Sequence, residues 1–106
     1  MTVATMLSEI ETIGADRSRG GHSRPGYSRV DRELREWFVA HAQRRGLDVQ
    51  RDRNGIVWAW WRPAGATGPA IVTGSHLDSV PGGGAYDGPL GVASAGLAIL
   101  AFLPPD

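Results

Sequence analysis

The segment from Pro89 to Leu103, PLGVASAGLAILAFL, constrains the fold of this chain more strongly than any other. Its apolar residues surround the helix that they predict, so every side of that helix needs other protein to cover it. The segment is shorter than the roughly 18 to 20 residues that a membrane span requires. We therefore expect a buried helix that starts at Pro89, a residue suited to a first helical position, and ends at Pro104–Pro105.

Two further helices are predicted near the start of the chain. Apolar residues recur with helical spacing within the first ten positions, which predicts a helix, and Gly14 can end that helix. Ser28 lies three residues before Asp31, which is a capping-box pattern. The helix that follows carries an apolar face and should stop near Gly46.

Strands are predicted in the middle of the chain. The runs LDVQRD and IVWAWW are joined by Asn54-Gly55, a strong signal for a β-hairpin. The run PAIVTG, residues 69–74, is typical of a short buried strand. Helix, helix, hairpin, strand and helix in this order indicate an α/β fold. Three strands and two modest helices are too little to bury the apolar helix, so we expect an incomplete domain, the front of something larger.

The charges favour a cation as ligand. All eleven basic residues are arginines between Arg17 and Arg62, whereas the chain from Pro63 onward has a formal charge of −3. Because the arginines are interleaved with acids, they form no basic block, and we expect no nucleic-acid partner. The start of the chain is not a secretory signal, and there is no cysteine. We expect a cytoplasmic protein with no membrane partner.

The stretch GSHLDSVPGGGAYDG, residues 74–88, carries the residues most suited to chemistry. His76 and Asp78 lie two positions apart, on one face of the predicted strand end. The glycines allow the chain to fold back, so that Asp87 at the start of the next helix can return to the same point. Imidazole and carboxylate groups suit Zn²⁺ or Mn²⁺, and a carboxylate can bridge two metal ions to activate a hydrolytic water.

Other interpretations of this stretch are a plain turn, a phosphate-binding loop or a serine nucleophile. The phosphate loop is disfavoured because Asp87 stands where the last glycine of G-x-G-x-x-G is needed, and its charge would repel a phosphate at a helix start. No G-x-S-x-G pattern supports a nucleophilic serine. From spacing alone, a glycine-rich turn without a metal stays open.

GSHLDSVPGGGAYDGPLGV closely resembles the signature of the M20-type metal-dependent amidohydrolases, which include N-carbamoyl-L-amino-acid hydrolases, allantoate amidohydrolases and β-ureidopropionases. The upstream blocks GHSRPGYSRVDRELREWF and DRNGIVWAWW resemble the same family. The resemblance implies that His76 binds one metal ion, Asp87 bridges both, and Asp78 acts as a catalytic residue that supports His76. It also implies two divalent ions, Zn or Mn, a three-layer α/β/α zinc-peptidase-like catalytic domain and a homodimer in the full-length protein.

The chain departs from the family pattern after Asp87. The Glu-Glu pair that supplies the family's general base does not occur, and the lid and dimerisation domain has no counterpart here. We therefore expect residues 1–106 to be the N-terminal portion of a catalytic domain that is inactive alone. The expected parent hydrolyses linear non-peptide C–N bonds in N-carbamoyl amino acids, allantoate or related ureido acids. The alternatives are a dinuclear metallo-aminopeptidase, disfavoured by the eleven positions from His76 to Asp87, and a non-catalytic truncated remnant.

Overall fold

The first helix, α1, spans Val3–Glu9 in a computed structural model that describes residues 1–100. The hydroxyl of Thr2 accepts a hydrogen bond from the amide of Thr5 and caps the helix start. After the C-cap residue Ile10 the chain continues in turns to Gly14, whose φ of 73° is the left-handed conformation that favours glycine. The predicted first helix is confirmed, but it ends at its cap residue Ile10, four residues before the predicted end at Gly14.

The second helix, α2, spans Arg29–Arg44 and shows the predicted cap. The Ser28 hydroxyl accepts from the amide of Asp31, and the Asp31 carboxylate accepts in return from the amide of Tyr27. At its other end Gly46 has a φ of 76°, and the amide of Leu47 donates to the carbonyl of Ala42. This is a Schellman ending, so the predicted stop near Gly46 is confirmed.

The predicted hairpin is also confirmed. Strands β1, Asp48–Arg51, and β2, Val57–Trp60, pair antiparallel, with Arg51 opposite Val57. The amide of Gly55 donates to the carbonyl of Asp52, and Gly55 has a φ of 84°. The loop is therefore longer than the predicted two-residue Asn-Gly turn. A turn runs from Asp52 to Gly55, and Gly55 takes the left-handed conformation at its end.

The strand predicted over residues 69–74 is wrong for this structure. The segment has no strand assignment, and Ile71 is 99% exposed. β1 and β2 form a two-stranded sheet, and within residues 1–100 no strand pairs with the 69–74 segment. A strand needs a neighbour to satisfy its backbone hydrogen bonds, so local sequence preference alone does not produce one here.

The third helix, α3, spans Pro89–Leu100 and packs against α1. It begins at Pro89 as predicted, while its predicted end at Pro104–Pro105 lies outside the described residues. The prediction of a helix buried on all sides is wrong for this structure, since Leu90 is 43% exposed. Too little protein surrounds α3 to cover it, as the small number of predicted elements led us to expect.

The core is small: α1 packs against α3, and α2 packs against the hairpin. Its buried apolar members come from each helix or its cap: Met6, Ile10, Leu34, Ala42, Val92 and Ala93. Within the described residues, three helices and one hairpin make this an incomplete α/β domain. No helix in residues 1–100 has both the length and the apolar character needed to cross a membrane.

Candidate metal site

The structure brings His76 close to both predicted carboxylates. The Nδ1 atom of His76 lies 2.9 Å from the backbone carbonyl oxygen of Asp78 and 3.3 Å from its Oδ1 atom. The Nε2 atom of the same ring lies 3.7 Å from Oδ1 of Asp87. The imidazole therefore stands between the two acidic residues that the sequence analysis selected.

The hydrogen bond to Asp78 determines which ring nitrogen of His76 can act as a ligand. A carbonyl oxygen only accepts, so Nδ1 carries a proton; in the neutral imidazole the lone pair is then on Nε2, the atom that faces Asp87. A backbone carbonyl or carboxylate behind the ring is the usual companion of a metal-binding histidine. The predicted support of His76 by Asp78 is thus provided mainly by its backbone carbonyl, with the carboxylate at longer range.

The donor set fits a divalent cation in part. Two ligand atoms of a tetrahedral zinc ion lie about 3.4 Å apart, given bonds of about 2.0–2.2 Å. The 3.7 Å between Nε2 of His76 and Oδ1 of Asp87 is close to that separation, and both side chains are exposed, at 51% and 72%. Within residues 1–100, however, no three histidine, cysteine, aspartate or glutamate side chains converge so that they could hold a metal ion. His76 and Asp87 are at most part of a complete metal site.

Two glycines allow α3 to approach the His76 segment closely. A Cβ atom at Gly88, whose φ is 100°, would lie 2.5 Å from the His76 carbonyl oxygen and 2.8 Å from its ring. One turn later, a Cβ at Gly91 would lie 2.7 Å from the side chain of Ser75. Because Asp87 directly precedes Gly88, this packing sets the distance between Asp87 and His76.

A second loop holds the other side of the segment. Arg24 and Ser79 exchange hydrogen bonds: the amide of Ser79 donates to the Arg24 carbonyl at 2.7 Å, and the Arg24 amide donates to the Ser79 hydroxyl at 3.1 Å. His22 and Gly83 pair through both of their backbone groups. GHSRPGY, the first part of the upstream block GHSRPGYSRVDRELREWF, is therefore packed on the segment that carries His76.

The side chains in this loop are strongly hydrogen-bonded. Ser23 donates its hydroxyl proton to the carboxylate of Asp16 and accepts a hydrogen bond from the amide of Gly82 at 3.0 Å. The bond from Ser23, followed by the amide of Arg19, holds the pKa of Asp16 well below its usual range. Asp16 is therefore an anion that fastens the loop to the glycine run after Asp78.

The other two histidines have structural contacts. His22 is buried, and its Nε2 atom lies 2.8 Å from the carbonyl oxygen of Glu11, while its Nδ1 atom is buried without a hydrogen-bond partner. His41 is buried too, and its Nε2 atom lies 2.6 Å from the carboxylate of Glu9. Both rings are therefore held within the packed chain by hydrogen bonds to residues of its first helix and the turn after it.

The residues that hold the His76 segment in place were not predicted from the sequence. Gly88 and Gly91 carried a detectable signal, because small residues three apart at a helix start allow close packing. Arg24 and Ser79 carried none, since they are 55 positions apart and only the folded chain brings them together.

Comparison with known proteins gives relatives of one kind. The chain is 33% identical to an N-carbamoyl-L-amino acid amidohydrolase of Geobacillus stearothermophilus over 86 residues, 81% of this chain and 21% of that protein. It is 31% identical to an allantoate amidohydrolase of Escherichia coli over 93 residues, 88% of this chain and 22% of that protein. A ureidoglycolate hydrolase of Oryza sativa is 36% identical over 69 residues, 65% of this chain and 14% of that protein. No family model matches the chain.

Two of these relatives are named as amidohydrolases and the third as a ureidoglycolate hydrolase. The chain matches N-carbamoyl-L-amino-acid and allantoate amidohydrolases over most of its length, as a fragment of that family would. It spans about a fifth of the length of the first two relatives named above.

Proposed function

We propose that this chain supplies part of the metal site of a hydrolase that cleaves non-peptide C–N bonds in linear amides or amidines. The substrate class is N-carbamoyl amino acids, allantoate or related ureido acids. One observation carries the proposal: Nε2 of His76, the ring atom that holds the lone pair in the neutral imidazole, faces the carboxylate of Asp87 at 3.7 Å. The names of the relatives, two amidohydrolases and a ureidoglycolate hydrolase, supply the substrate class.

The proposed roles are those that the family resemblance implies, and the contacts of each side chain support them. His76 donates Nε2 to one cation, and Asp87, with two exposed carboxylate oxygens, is suited to bridge two. The backbone carbonyl of Asp78 fixes the ring of His76 by accepting a hydrogen bond from Nδ1–H. When bound, a pair of Zn²⁺ or Mn²⁺ ions lowers the pKa of water and polarises a substrate carbonyl.

The chain alone should not turn over substrate. After Asp87 its sequence contains one further acidic residue, Asp106, and no glutamate that could act as a general base. His76 and Asp87 provide two ligands, so binding of a cation should be weak. A complete site requires groups from further polypeptide, and the homodimer and the second metal ion remain predictions about that larger protein.

A chimera tests the proposal. The 86 matched residues of the Geobacillus relative are replaced by the corresponding residues of this chain, and release of ammonia from an N-carbamoyl-L-amino acid is measured with added Zn²⁺ or Mn²⁺. We expect activity in the chimera and at least about a hundredfold loss with His76→Ala or Asp87→Asn. Glu33→Gln, an exposed site on α2, is the matched control and should leave activity unchanged.

Two results would contradict the proposal. One is full activity in the His76→Ala and Asp87→Asn chimeras. The other is a folded wild-type chimera that cleaves dipeptides but not N-carbamoyl amino acids, which would favour the aminopeptidase alternative.

A further inference from the structure

We propose that Arg24 is a positioning residue for the candidate metal site, linking the end of α1 to the segment that carries His76 and Asp78. The inference rests on the proposed function, because it treats His76 as a ligand. It concerns a residue that contacts neither a cation nor a substrate, and that acts through the neighbouring backbone.

The burial of Arg24 is the first observation. Its side chain is 2% exposed, and burial lowers the pKa of its guanidinium group. Within residues 1–100, no carboxylate lies within ion-pair distance of it. A buried cation without a counter-ion is costly, so a fold that keeps one must use its hydrogen bonds.

Those hydrogen bonds go to the C-cap of α1 and to the turn after it. Nη2 of Arg24 donates to the carbonyl of Ile10 at 2.9 Å, and Nε donates to the carbonyl of Ile13 at 3.0 Å. The Ile10 carbonyl lies at the negative end of the helix dipole, and both carbonyls offer the cation partly negative oxygen atoms. The planar guanidinium group serves both carbonyls at once, which a lysine ammonium group cannot do with the same geometry.

The backbone of Arg24 makes the connection to the site. Its carbonyl and amide bond to the amide and hydroxyl of Ser79, the residue directly after Asp78. The backbone carbonyl of Asp78 in turn accepts a hydrogen bond from Nδ1–H of His76. Between the guanidinium anchor and the histidine ring there are thus two hydrogen-bonded steps, from Arg24 to Ser79 and from Asp78 to His76.

Amide hydrogen exchange and NMR on the 106-residue chain test this link. In Arg24→Met we expect the Ser79 amide to exchange about tenfold faster relative to the Leu34 amide, which reports global unfolding from the core of α2. The ring signals of His76 should shift in the same spectrum. Arg17→Met, an exposed arginine in the same loop, is the control and should change neither.

A merely stabilising role gives a different pattern. Exchange at Ser79 and Leu34 would then accelerate together, and the His76 ring signals of the folded chain would stay in place; that result overturns the proposal. If Arg24→Met does not fold, Ser79→Ala keeps the guanidinium anchor and removes the hydroxyl. It should shift the His76 ring signals, and unchanged signals would equally overturn the proposal.

Cobalt titration separates this inference from the proposed function. Co²⁺ should broaden the His76 signals of the wild-type chain, with about tenfold weaker binding in Arg24→Met and unchanged binding in Arg17→Met. Equal binding in all three contradicts the role of Arg24. Absence of binding in the wild type contradicts the metal site, while the exchange data still decide whether Arg24 holds the segment.

Discussion

Replacing Gly88 with alanine should disturb both the stability of the chain and the position of His76. The new methyl group would stand 2.5 Å from the His76 carbonyl oxygen and 2.8 Å from its ring, on a backbone with a φ of 100°. The closer contact is with a backbone atom, which a side-chain rotation cannot move away. Relief therefore requires α3 and the His76 segment to move apart.

The cost has two sources. A residue with a Cβ in the left-handed region loses about 1–2 kcal/mol, and overpacking costs about 1–3 kcal/mol. We expect Gly88→Ala to lower the free energy of unfolding by about 2–5 kcal/mol. Gly84→Ala is the control in the same glycine run, because a Cβ there has no atom within 4 Å. It should change stability by less than about 0.5 kcal/mol.

The assay is urea unfolding followed by tryptophan fluorescence, with the His76 ring signals recorded by NMR for the folded protein. Equal stabilities of the Gly88→Ala and Gly84→Ala variants, with unmoved His76 signals, would refute the argument that Gly88 provides the space for His76.

Two further predictions concern the small core and its acidic contacts. Leu34→Ala removes a side chain with 0% exposure and should cost about 2–4 kcal/mol in urea unfolding, whereas a loss below about 1 kcal/mol would show that Leu34 does not pack as described. Hydrogen bonds from Trp37 and His41 lower the pKa of Glu9 from its ordinary 4.5, so its contribution to stability is present above that pH and is lost as the pH falls through the lowered value. Glu9→Gln should flatten this acid-side loss of stability in pH-dependent unfolding, and the exposed Glu33→Gln should not; identical pH profiles for the two variants would contradict the assignment.

The elements set by short-range interactions could be predicted from the sequence. The Ser28 cap, the Gly46 ending of α2 and the hairpin around Gly55 each depend on residues within a few positions of one another. The apolar run at 69–74 could not be interpreted in the same way, because a strand exists only where another strand satisfies its backbone. The sequence of residues 69–74 favours a strand, but the 100 described residues contain no strand that pairs with it.

For the candidate site too, contacts between nearby residues could be predicted and contacts between distant residues could not. The glycines between Asp78 and Asp87 let the chain fold back, and the structure places Asp87 beside His76 as this predicted. Their roles as metal ligands remain a prediction. The proposed support of the His76 segment by Arg24 could not be predicted. It depends on the contact between Arg24 and Ser79, which are 55 positions apart, and on two carbonyls in and just after the C-cap of α1.

A zinc titration that observes all three histidine rings by NMR tests the central claim most directly. His22 and His41 are buried and hydrogen-bonded, so they serve as internal controls for the exposed His76. We predict that Zn²⁺ shifts the His76 signals through Nε2, leaves the other two rings unchanged, and binds more weakly in Asp87→Asn. Unchanged His76 signals at saturating Zn²⁺, or equal affinity in Asp87→Asn, would contradict a metal site formed by His76 and Asp87.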